Sequence, residues 1–302
     1  MRVEAFSNPD CLVATFARTW DFRWFAHVLA NVATVLALLA SVALSDEKAD
    51  EDYRTAQLHR MKSIAEKFEV DAALGAKPVA AKLMSNPLLK YNDSTRRNHE
   101  STLWLWTERE RPCALMAVEF YPNSPRGPRW LFEIVSLSNS KIGVARGGDW
   151  KRQAKQPGVI RKPVPGDLTP AEKPALRLSQ ARQIRQRFAA HEKEGTVGRI
   201  ELRPLSTPLY RYADEETGVI DGAVFAFANG TNPEVLLLLE AQRDAATKQA
   251  VWTYGFAQMT GAEVSASLDD REVWSQKEAD PPAIRDSYVN DWLKDEVAEP
   301  RM

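Results

Sequence analysis

Four sets of side chains in this sequence could do chemistry. Cys113 and His99 are the one pair that could supply a thiolate nucleophile and its base. Glu119 and Glu240 each close an apolar run, "ALMAVEF" and "VLLLLEA", and Asp93 and Asp214 each follow a tyrosine. Two carboxyls held ~5–9 Å apart can act as a glycosidase pair. Trp104 and Trp106 share one face of a strand and, if exposed, could stack on sugar rings or grip a partner. Lys151 and Arg152 lie in a run from Lys141 to Lys162 with seven bases and one acid, Asp149, which could meet a polyanion.

Other chemistries lack their signatures. There is no glycine-rich phosphate loop, HExxH, GxSxG or calcium loop. The four histidines, at 27, 59, 99 and 191, are scattered, and with two cysteines there is neither a zinc spacing nor a disulfide framework. Neither a metal nor a cofactor is expected. The formal net charge of −1 does not suit a molecule built to sit on nucleic acid.

The elements that must position these residues occur twice. Residues 85–119 align with 206–240 without a gap, from "PLLKYND" opposite "PLYRYAD" to Glu119 opposite Glu240. Eight positions are identical, where ordinary composition gives roughly two. The match extends upstream, where Leu58, Ile64 and Phe68 face Leu178, Ile184 and Phe188, and downstream, where Trp130 faces Trp252. This is an internal repeat. It weakens the nucleophile reading, because the counterparts of Cys113 and His99 are Glu234 and Ile220. Carboxylates kept in both halves most simply serve a shared fold.

Each unit reads as a helix followed by short strands. Met61, Ile64, Ala65, Phe68 and Ala72 form one helical stripe, and Ala181, Ile184 and Phe188 form another. Short connections favour antiparallel strands, with a last hairpin turning at Gly147-Gly148 or Asp269-Asp270. The expected fold class is α+β, as two tandem repeats. Each is a helix packed on an antiparallel β-meander, cystatin-like in general architecture. The repeats span 46–153 and 172–276, joined by a proline- and glycine-rich basic connector over 154–171. An acidic tail over 277–302 carries Ile284, Tyr288 and Trp292 at the spacing of a short amphipathic helix that docks on the second unit.

Residues 1–45 read as an export signal or membrane anchor. Arg2, Arg18 and Arg23 precede an uncharged run from Trp24 to Ser45, and the acidic "DEKADED" follows. Everything beyond residue 45 is then extracytoplasmic, with the membrane touched only through this segment.

The strings "PLYRYADEETGVIDGAVFAFANGTNPEVLLLLEAQ", "WTYGFAQMT" and "REVW", with "LWLWTERERPCALMAVEFY" and "RWLFEIVSLS", resemble an uncharacterised family of exported planctomycete proteins. The similarity covers roughly residues 52–276. It implies export and assigns no site residue.

These readings favour an extracytoplasmic, non-catalytic binding or structural module, with a cell-surface polysaccharide or protein as partner and no nucleic acid. Lys151, Arg152, Trp104 and Trp106 are the candidate binding residues. The alternative is an exported hydrolase with a carboxylate (Glu119, Glu240) or Cys113–His99 site between the repeats.

Overall fold

The computed structural model describes residues 48, 50–72, 79–93, 98–148, 150–166, 168–195, 197–244, 249–278, 283–284 and 287–293. The segment read as an export signal lies outside them. Among the described residues no helix is long and apolar enough to cross a membrane. The chain divides into two units, Met1–Thr55 and Ala56–Met302. In the first, residues 51–55 are helical; all that follows concerns the second.

A helix, α1 (residues 56–65), precedes ten strands. They are β1 (Phe68–Ala72), β2 (Val79–Ala80), β3 (Lys82–Leu83), β4 (Leu89–Asp93), β5 (Asn98–Glu108), β6 (Arg111–Tyr121), β7 (Arg129–Ser136), β8 (Ile142–Arg146), β9 (Trp150–Gln153) and β10 (Lys162–Pro163). Helix α2 (Pro174–Gln186) opens the second half. It is followed by β11 (Phe188–Glu194), β12 (Gly198–Pro204), β13 (Tyr210–Asp214), β14 (Val219–Asn229), β15 (Asn232–Arg243), β16 (Ala250–Gln258), β17 (Glu263–Leu268) and β18 (Arg271–Gln276). The tail supplies β19 (Ala283–Ile284) and β20 (Tyr288–Trp292).

The expected α+β class is overturned. The described residues are mostly β, 55% strand against 15% helix, built of large antiparallel sheets with a half-barrel rather than of helix-on-meander repeats. Two features of the sequence account for the difference. Phe68 and Phe188, read as members of helical stripes, instead begin strands: "FEVDA" alternates buried and exposed, the period of a strand and not of a helix. The helices stop at residue 65 and at Gln186. Second, nearly every residue of β6 and β15 is buried, because these strands are covered on both faces.

That double cover defines the layers. One face of the sheet containing β5, β6 and β7 packs with α1, through Met61, Ile64, Trp104, Met116 and Phe132. One face of the sheet containing β14, β15 and β16 packs with α2, through Ala181, Ile184, Phe225, Leu237 and Tyr254. Their other faces meet in a third core, where Leu105 and Leu115 share a cluster with Leu236 and Leu238.

The way the chain covers the sheet edges was not foreseen. Leaving β9, it crosses to the second half and pairs β10 with β16, where Val164 N donates to Trp252 O at 2.8 Å. Leaving β18, it crosses back and pairs β20 with β7, where Leu293 N donates to Trp130 O at 2.9 Å. Each half therefore lends the other its edge strand. The segment read as an amphipathic tail helix on the second unit is a strand on the first sheet, since only an extended chain can satisfy the open hydrogen-bonding edge of β7.

Truncation after residue 287 removes Tyr288, Val289 and Leu293, all buried, and bares β7. Val289 and Leu293 alone bury side chains worth about 3 kcal/mol or more. The expected outcome is a loss of at least that much in urea unfolding, with self-association through the exposed strand. An unchanged midpoint would show that β20 contributes nothing to the core.

Candidate functional site

The two repeated glutamates are explained by strand register. Tyr91 on β4 opposes Ser101, which opposes Glu119; Tyr212 on β13 opposes Gly222, which opposes Glu240. A small residue in the middle of each row lets the phenol reach over it to the carboxylate. Tyr91 Oη donates to Glu119 Oε1 at 2.8 Å, and Tyr212 Oη donates to Glu240 Oε1 at 2.7 Å. At Gly222 the ring lies so close that a Cβ would come within 2.4 Å of it.

The two carboxylates then diverge. Glu119 accepts a second phenolic hydrogen bond from Tyr121, at 2.6 Å. Glu240 instead faces two guanidiniums. Arg111, from β6, places Nη2 at 3.2 and 3.3 Å from its two oxygens. Arg161, from the connector, places Nη2 at 2.7 Å and Nε at 2.5 Å. The connector is therefore no solvated linker at this point: the Arg161 side chain is 9% exposed and that of Glu240 is fully buried. Burial alone would pull the Arg161 guanidinium down, but Glu240 and then Tyr212 outweigh it and hold its pKa above the usual value. Burial first, and then the neighbouring carboxylates, push Tyr91, Tyr212 and Tyr288 well above the ordinary phenol range.

The nucleophile pair is not assembled. Cys113 is buried on β6, and burial pushes its thiol up to about 12. The register places Cys113 beside Trp106 and Thr107, whereas His99 falls at the far end of the same hairpin. Seven residues of strand separate the two levels, about 23 Å. Trp104 and Trp106, candidates for stacking only if exposed, are buried under α1, and Trp104 Nε1 donates to Thr102 Oγ1 at 2.8 Å. Neither can serve as a stacking platform. Asp214 accepts a turn hydrogen bond from Thr217 Oγ1 at 2.7 Å.

Lys151 and Arg152 are exposed on the edge strand β9, and Arg152 lines a cavity of about 230 Å³. Ile134 of β7, Ile142 and Val144 of β8 and Val289 of β20 form its apolar wall. Lys155 also lines it, and no acidic residue does so among the described residues. This volume exceeds the ~150 Å³ of an apolar cavity that takes up benzene. Sequence reasoning found Arg152 and missed the rest, because the wall is completed by a tail strand that had been read as a helix.

In the second half an aromatic pair stands at the corresponding positions. Val144 pairs with Arg152 across β8 and β9, and Ala266 pairs with Trp274 across β17 and β18. Phe256 stands on β16 where Ile134 stands on β7, and its ring stacks on Trp274 with centroids 5.5 Å apart. Trp274 opposite Arg152 is a visible departure in the repeat, and it was the signal available in the sequence.

No protein-family model matches the chain, nor does any curated protein or solved structure.

The buried phenols make a prediction about alkaline stability. Of seven tyrosines, Tyr91, Tyr212 and Tyr288 ionise in the folded protein only above the pKa of ~10 that an unfolded phenol has. Their contribution to stability is complete below pH ~10 and is lost as the pH rises toward the folded-state values, because the unfolded chain gives up its protons first. Ultraviolet difference absorption should show these three phenols ionising together with unfolding. Smooth titration of all seven near pH ~10 in a folded chain would contradict the arrangement.

Proposed function

We propose that the protein is an extracytoplasmic, non-catalytic binding module whose ligand site is the cavity bounded by β7, β8, β9 and β20. The observation that carries this reading is the contrast between the two halves. The same strand geometry is closed by a Phe256–Trp274 stack in one half and left open by Ile134 and Arg152 in the other. The extracytoplasmic part of the reading rests on the order of charge around the apolar run from Trp24 to Ser45.

The exported hydrolase gains little from the geometry. Glu119 and Glu240 are fixed in buried hydrogen bonds to tyrosines and arginines, and the Cys113 thiol is held protonated by burial. A binder for a long polysaccharide gains as little, with Trp104 and Trp106 inside the core. A small ligand with an apolar body fits the volume and the wall.

Benzene tests the cavity without regard to charge. A saturating amount should raise the melting temperature of the full chain, since a ligand that binds only the folded state stabilises it by mass action. The double variant Ile134→Phe, Arg152→Trp copies the packing of the second half. It should melt no lower than the parent and lose the response to benzene. A parent chain that does not respond would remove the cavity as a ligand site.

A further inference from the structure

The lining residues divide by polarity along the cavity, and that division specifies a ligand. The inner wall is aliphatic: Ile134, Ile142, Val144 and Val289. The side formed by β9 and the start of the connector carries Arg152 and Lys155, both exposed. Arg152 donates one side-chain hydrogen bond, from Nη1 to the carbonyl of Lys151 at 2.9 Å, and its guanidinium lies 5.2 Å from the centre of the Trp150 ring. Those contacts orient the group while leaving most of its donors unused. Neither cation has a carboxylate partner among the described residues. The contrast with Arg161 is informative: the same connector aims that arginine at Glu240, where its charge is met internally.

We infer that the cavity binds an anionic amphiphile, a carboxylate on an unbranched apolar chain, with its head at Arg152 and Lys155 and its chain against the aliphatic wall. At ~30 Å³ for each group the size of a water molecule, 230 Å³ holds about eight such groups. A chain of roughly eight carbons suits that volume. Two unpaired cations at the mouth favour an anion over a neutral or cationic head of the same length, because hydrogen bonds to charged groups are about twice as strong as neutral ones. An arginine fork matches the two oxygens of a carboxylate.

This inference rests on the binding reading above, and the choice of probes separates the two. Octanoate, octan-1-ol and octyltrimethylammonium are titrated into the full chain by calorimetry, alongside benzene. Octanoate should bind at least about tenfold more tightly than octanol, the cation should bind most weakly, and added salt should narrow the gap. Arg152→Gln and Lys155→Gln lie on the surface and should leave folding intact. Each should weaken octanoate by about fivefold and leave octanol unchanged. Equal affinity for octanoate and octanol, or unchanged octanoate binding in both variants, would overturn the anionic-head inference while benzene still binds. Failure of benzene as well as octanoate would overturn both the inference and the reading beneath it.

Discussion

The two sheets can exist side by side only if the outer edges of β7 and β16 are paired. A strand edge left bare is an open row of hydrogen-bonding groups, and it invites pairing with another chain. This protein closes both edges by reciprocal exchange, with the connector on β16 and the tail on β7. The rest of the arrangement follows from that crossing. The connector brings Arg161 onto Glu240 because it must run along β16. The tail brings Tyr288 to Glu133, where its Oη donates at 2.5 Å, and sets Val289 in the cavity wall because it must run along β7. One constraint on backbone hydrogen bonding thus places both the buried charge cluster and the cavity.

The charge cluster is a fastening with a cost. A buried ion pair gains little over apolar packing of the same volume, because desolvating the charges offsets their attraction. Losing one partner is another matter, since an uncompensated buried charge costs about 3–5 kcal/mol. Glu240 on β15 holds Arg111 from the first half and Arg161 from the connector. A slipped connector or a separated pair of sheets would strand at least one of these charges. The cluster therefore acts on specificity: it penalises other placements of the connector more than it deepens the native one. Glu119, bonded to Tyr91 and Tyr121, occupies the corresponding place in the first sheet.

Local patterns were legible in the sequence, while long-range pairing was not. The tight turn at Asp269-Asp270, with both residues at positive φ, lies where the alternation of the flanking strands places it. The matched Tyr91/Glu119 and Tyr212/Glu240 positions were visible, yet unconnected: the glutamates read as closing apolar runs and the tyrosines only as the neighbours of Asp93 and Asp214. Their connection depends on three strands in register, which no window of sequence displays. The runs "ALMAVEF" and "VLLLLEA" held the clue to a second covering layer, because an unbroken apolar run means burial on both faces. Ile284, Tyr288 and Trp292 fall at helical spacing, and "YVNDW" could take either form in isolation. The unpaired edge of β7, which is set by residues 153 to 161 positions away in the chain, decided for the strand.

The cavity remains the feature that stability does not explain. An enclosed void of 230 Å³ would cost about 5.5 kcal/mol at about 24 cal/mol for each Å³; this one opens to solvent and costs less. The second half shows that the same frame accepts a better-packed solution, with Phe256 and Trp274 in stacked contact. Placing Ile134 at one of those positions removes a ring; placing Arg152 at the other replaces an aromatic side chain with a cation. Both substitutions leave room, and the second also puts charge at the rim of that room. Trp150, packed on Phe68 and Phe132, supplies an aromatic to this half in another place, so the room beside Arg152 is what the proposed site for an anionic amphiphile would use.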